Sequence, residues 1–211
     1  MKFVLTYQGS LKVGQNRRRG SARMHSIRRQ FHAQLKELWE SDPFLSNWIS
    51  SKSELEESLK RPIDRLSRLA GNEDRLPVVT LLPDFYRRRD FRFVPLVRAD
   101  FLLQCSLKIL FLRRDPPGSV VSHGDIDNRL KVLLDGLSMP QDNQIDDKVA
   151  PGGDEDPFFV LLEDDKLLSA FSVETQRLLE PSADQQDDAV KLSIEVEVKP
   201  TLVTMDNASF T

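Results

Sequence analysis

A chain of 211 residues can bury a full core, and 39% hydrophobic with 30% charged residues is the balance of a soluble globular protein, neither fibrous nor disordered. No apolar run is long enough to cross a bilayer, Met1 to Tyr7 lacks the features of a signal peptide, and the single cysteine, Cys105, excludes an intrachain disulfide and a cysteine zinc cluster, so a cytoplasmic protein is expected. The net charge of −3 conceals a division: residues 1–114 carry 23 Lys and Arg against 12 Asp and Glu, and residues 115–211 carry 7 against 21. This asymmetry suits a basic face toward phosphate beside an acidic site for cations, and it equally suits a dipolar surface with no partner.

In chain order, Phe3, Leu5 and Tyr7 alternate with Val4 and Thr6, which predicts a first strand over about 2–7. Gly9, Gly14 and Gly20 punctuate a polar stretch expected to be a loop over 8–25, carrying Lys12, Arg17, Arg18, Arg19 and Arg23. Ser26 is placed to cap a helix over 27–40, with Ile27, Phe31, Leu35 and Leu38 on one face and Arg28, Arg29 and Lys36 on the other.

Residues 41–98 read as inserted material: helical from Ser53 to Leu69 with a break at Pro62, then an apolar run from Leu76 to Leu82 closed by Pro83. Five arginines surround Tyr86, Phe91 and Phe93, the pattern of a half-buried strand with a solvated basic side. A clear strand follows at 103–112, where Leu103, Cys105, Leu107, Ile109 and Phe111 alternate with Gln104, Ser106 and Lys108. Further on, 158–162 reads as a strand and 167–179 as a helix, set within an acidic-loop insertion over about 146–188. The alternation of Val190, Leu192, Ile194, Val196 and Val198 predicts an antiparallel strand over 189–199, and 200–211 is expected to be a loose tail. The expected fold is α+β, a single domain over 1–199 with a mixed, largely antiparallel sheet flanked by helices.

The chemistry concentrates in Gly124-Asp125-Ile126-Asp127-Asn128-Arg129-Leu130-Lys131 and its continuation to Leu137. Leu130, Leu133, Leu134 and Leu137 form a helical apolar stripe. Two positions apart, Asp125 and Asp127 diverge within a helix but share one side of an extended segment. Asp125 is therefore expected on the incoming chain and Asp127 at the cap, where the helix dipole favours negative charge. Lys131 and Asp135 follow Asp127 at successive i+4 steps on one face, a spacing that a plain surface salt-bridge ladder also has.

The run Asp125-Ile126-Asp127-Asn128, with Lys131, Asp135 and Leu137 behind it, resembles the RusA family of Holliday-junction resolvases. Gln141-Asp142-Asn143-Gln144-Ile145 looks like that family's later Asp-Asp-x-Gln-Ile segment, with Gln141 in place of the first aspartate and a shortened connection from Asp135. The resemblance implies that Asp125, Asp127 and Asp142 are catalytic metal ligands and that Lys131 is required for cleavage. It further implies a homodimer nicking the two symmetric strands of a four-way DNA junction.

Three mutually repelling carboxylates suit magnesium, with manganese as a substitute, because a hard dication takes oxygen ligands and keeps several waters. Arg17, Arg18, Arg19, Arg23, Arg28, Arg29 and Asn128 are the candidate DNA contacts, of the kind that holds phosphate without reading sequence. Two other readings stay open: a protein of the same fold that grips branched DNA without cutting, and an acidic protein-interaction module.

Overall fold

The computed structural model describes residues 1–11, 17–60, 74–113, 125–146, 149–179 and 189–211; the side chains of 17–19 and of Asp125 lie outside that description. Strand β1 (Lys2–Ser10) leads to the long helix α1 (Arg17–Ser41), followed by the short α2 (Pro43–Ser46), β2 (Ile49–Ser50) and α3 (Lys52–Lys60). Then come β3 (Leu76–Pro77), α4 (Val78–Phe85), β4 (Arg87–Arg88), β5 (Phe91–Val97) and β6 (Leu103–Arg113). Helix α5 (Asp125–Leu137), β7 (Phe158–Leu162), β8 (Leu168–Arg177) and β9 (Ala189–Pro200) complete the chain. The fold is mixed α+β, and no described helix is long and apolar enough to cross a membrane.

The main sheet has the order β1-β9-β6-β8; β9 pairs antiparallel with both β1 and β6, while β8 runs parallel to β6. One face of β9 and β6 is fully apolar, with Val190, Leu192, Ile194, Val196 and Val198 beside Cys105, Leu107, Ile109 and Phe111, none more than 2% exposed. The opposite face of β9 carries Lys191, Ser193, Glu195 and Glu197, so the period-2 pattern separates core from water. A second sheet, β4-β5-β7, pairs β5 with β7 in parallel, and every residue of β7 is buried.

Helix α1 packs on β7, on α5 and on β1. Ile27, Phe31, Leu35 and Trp39 recur every fourth residue on its buried side, and Arg28 and His32 are buried next to them. His32 is held at both ring nitrogens: Nδ1 accepts from the Phe159 N–H (2.9 Å), so Nε2 donates to the Asp154 carbonyl (2.9 Å).

Several sequence expectations are corrected. The basic stretch before Ser26 is not a loop to residue 25, since α1 begins at Arg17 and runs unbroken through Gly20 and Ser26. Arginine is a good helix former, and the helix gains from packing whatever its first turns lack. The stretch 167–179 is a strand, β8, because β6 offers it a free edge. Within segments 41–98 and 146–188, β5, β7 and β8 join the sheets, and Trp48, Leu55, Phe93 and Phe158 pack in the core. Pro62 and the rest of 61–73 lie outside the described residues.

The C-terminal segment is not loose. Phe210 is fully buried, edge-on to Phe44 (5.2 Å) and Trp48 (5.8 Å), and its carbonyl accepts from the N-terminal ammonium of Met1 (2.9 Å). Asn207 Nδ2 donates to the Phe101 carbonyl (2.9 Å). Beneath this segment Arg98 is fully buried, its guanidinium 4.1 Å from the Phe101 ring and its Nε 3.6 Å from Asp100 Oδ1. Phe210→Ala is therefore expected to cost about 3–5 kcal/mol, the range for emptying a buried phenylalanine site. Chemical denaturation measures it, and a change within experimental error would show that the tail does not dock.

Candidate functional site

Asp125 is the first residue of α5, not part of an extended approach, so Asp125 and Asp127 share the helix's opening turn. At about 100° per residue their backbone directions differ by roughly 200° around the axis. The economical arrangement expected from spacing, one carboxylate on extended chain and one at the cap, is therefore not the one adopted. Asp127, Asn128 and Lys131 are all exposed, and Asp127, Lys131 and Asp135 form one stripe down α5 at i+4 intervals.

The far end of that stripe is electrostatically loaded. Burial pushes the Asp135 carboxyl above its ordinary value of 3.8, and the negative charge of Asp165 adds to the rise, while Arg28 and Lys131 oppose it. Asp165 reaches this neighbourhood because β7 ends at Leu162, where the Met139 N–H donates to the Leu162 carbonyl (2.8 Å) and joins the exit of α5 to the exit of β7. Of the three acids that follow β7, Glu163 accepts from the Ala99 N–H (2.9 Å) and Asp164 caps the next turn and pairs with Lys166 (3.2 Å). Asp165 is exposed and has no basic partner among the described residues. Sequence reasoning passed over it. Its signal was the acid run Glu163-Asp164-Asp165 directly after a wholly apolar stretch.

Asp142 opens a 3-10 turn (Asp142–Gln144), is exposed, and its carbonyl accepts from Arg89 Nε (2.8 Å) in the β4–β5 turn. Gln144 anchors this segment, accepting from the Gln141 N–H (3.1 Å) and from Arg28 Nη2 (3.4 Å). Among the described residues, no three His, Cys, Asp or Glu side chains lie within reach of one metal ion; a set that includes the Asp125 carboxylate falls outside them. The crevice beneath this segment, between Phe91, Phe93, Phe158, His25 and Arg28, has about 20 Å³ of free volume, room for a water and far too little for a nucleotide.

The basic residues divide by environment. Arg17, Arg18 and Arg19 form the first turn of α1, which contains no acid. Arg23 donates to the Ser10 carbonyl (3.1 Å). Arg29 is half exposed and paired with Glu155 (2.7 Å). Arg28 is removed from the candidate DNA contacts: it is only 4% exposed, burial pushes its pKa down to about 10, and Nη2 donates to the Asp135 carbonyl (3.0 Å) near the end of α5. Sequence periodicity had placed Arg28 on the solvent face, but α5 covers that side of α1. His123 and Gly124 lie outside the described residues.

A carboxyl whose folded pKa is raised costs stability wherever it is ionised. The penalty is full above the folded pKa, falls as the pH drops through it, and is gone below the ordinary value of 3.8. Asp135→Asn should therefore melt above the wild type at neutral pH, with the gap closing on acidification. Equal melting temperatures at neutral pH would contradict the assigned burial of charge.

Comparison of the chain with protein-family models, with curated proteins and with solved structures finds no match in any of the three.

Proposed function

We propose that this protein is a magnesium-dependent endonuclease of the RusA type that acts on branched DNA, resolving four-way junctions by paired nicks. The observation that carries the reading is the face of α5 on which exposed Asp127, exposed Lys131 and half-buried Asp135 recur at i+4 steps. Burial raises the Asp135 carboxyl above its ordinary value, against the pull of Arg28 and Lys131. Such a donor set is all oxygen, which suits magnesium rather than zinc.

Asp125, Asp127 and Asp142 are the residues assigned to hold the ion, as the resemblance to the RusA family has them. Bound there, the ion supplies Lewis acidity toward a phosphate oxygen and a lowered pKa for an attacking water. Lys131, one turn beyond Asp127 and exposed, is placed to meet negative charge that builds on the phosphate during cleavage. Asp135 positions Lys131 and sets the local potential. The arginines opening α1 add positive charge at the end of the helix where the dipole is also positive, a field that attracts phosphate.

A mobile four-way junction incubated with magnesium tests this directly. Symmetric nicks are expected from the wild type, none from Asp127→Asn or Asp142→Asn, and a loss of about a hundredfold or more from Lys131→Ala. Normal nicking by Asp142→Asn would remove Asp142 from the metal site. Tight junction binding without nicks in the wild type would replace the enzyme with a non-cleaving binder. No preference for junctions over duplex would leave an acidic interaction module.

A further inference from the structure

The turn that carries Asp142 is held by its backbone and by Gln144, not through the Asp142 carboxylate. Gln144 Oε1 accepts from the Gln141 N–H (3.1 Å) and from Arg28 Nη2 (3.4 Å). The same Nη2 donates to the Asp135 carbonyl (3.0 Å), so Arg28 ties the turn to α5. The Asp142 carbonyl accepts from the Ile145 N–H (3.4 Å) and, more closely, from Arg89 Nε (2.8 Å). Asp142 is exposed, and its carboxylate has no hydrogen-bond or ion-pair partner among the described residues.

Arg89 is an unusual residue for its position. Arg88 pairs with Phe91, so Arg89 and Asp90 form the two-residue turn between β4 and β5. The φ of Arg89 is +51°, in the left-handed region where a Cβ is crowded and glycine or asparagine is favoured. An arginine there carries backbone strain that glycine would avoid. What the arginine adds is reach: its side chain bridges 53 positions of sequence to the Asp142 carbonyl.

We infer that Arg89 is a positioning residue for the metal site: by holding the Asp142 carbonyl it sets the turn so that the Asp142 carboxylate is presented to a divalent cation. The inference rests on the nuclease reading, with Asp142 as one of the ligands. A guanidinium bonded to the carbonyl leaves the carboxylate oxygens unengaged, whereas the same group on the carboxylate would compete with the cation. Magnesium tolerates little departure from octahedral geometry, so a ligand on a loosely held turn binds it weakly. Removing a group that orients a ligand lowers metal affinity by about ten- to a hundredfold.

Arg89→Gly separates this role from a structural one, because glycine accepts the left-handed backbone and only the side chain is lost. Its metal-free melting temperature should match the wild type. The magnesium concentration for half-maximal nicking of a four-way junction should rise about tenfold or more. The manganese concentration giving half of the metal-induced rise in melting temperature should move upward in parallel, a readout without DNA or turnover. Without metal, amide exchange at Gln144 and Ile145 should quicken. Arg89→Lys, whose ammonium can reach the carbonyl, should restore most of each property. Metal midpoints unchanged in Arg89→Gly, beside a wild type that nicks and binds manganese, would overturn the inference and leave the nuclease reading standing. A wild type that neither nicks nor responds to either metal would remove the nuclease reading, and this inference with it.

Discussion

The close approach of α1 and α5 is the constraint on which the rest depends. A Cβ at Gly136 would lie 2.7 Å from Ile27 Cγ2, so the absence of a side chain there is what lets the two helices touch. Beside that contact the buried Arg28 donates to the Asp135 carbonyl, near α5's last turn, where helix carbonyls lack partners of their own. With α1 seated also on β7, one helix fixes α5 against the second sheet. The direction in which Asp127, Lys131 and Asp135 project follows from that seating.

The same packing explains the electrostatics. Drawing Arg28 out of water spends a cation on a structural bond, which leaves the outer acids of α5 with Lys131 as their nearest exposed positive charge. A guanidinium is suited to this buried task because it stays charged when desolvated and spreads its donors over a plane. The acids that follow β7 are graded likewise: two hold backbone and lysine in place, and the third faces solvent beside α5.

The strands with one wet face were readable before any coordinates. β9 alternates strictly and β6 does so through Ile109, and their boundaries came within a residue or so of expectation because the period-2 pattern is local. The apolar stripe of α5 was equally plain. β8 was not. Leu167, Leu168, Phe171, Leu178 and Leu179 are spaced as a helix would space them, and only the free edge of β6 makes them a strand. The start of α1 was hidden by a basic, glycine-containing stretch whose helical state depends on continuation from a well-packed body.

The sequence by itself determined the chemical inventory: the acidic opening of α5, the lysine one turn on, the basic first third, and the faces of the alternating strands. Those are matters of residue type and short-range spacing, which survive without tertiary context. Only the tertiary structure decided which arginine is buried, that Phe210 is docked, and that Asp165 rather than a nearer acid comes beside Asp135. Each of these joins residues roughly thirty to over a hundred and sixty positions apart, from Asp135–Asp165 to Phe44–Phe210. Such contacts are set by how layers stack and which faces remain to be covered, and no periodicity along the chain records that.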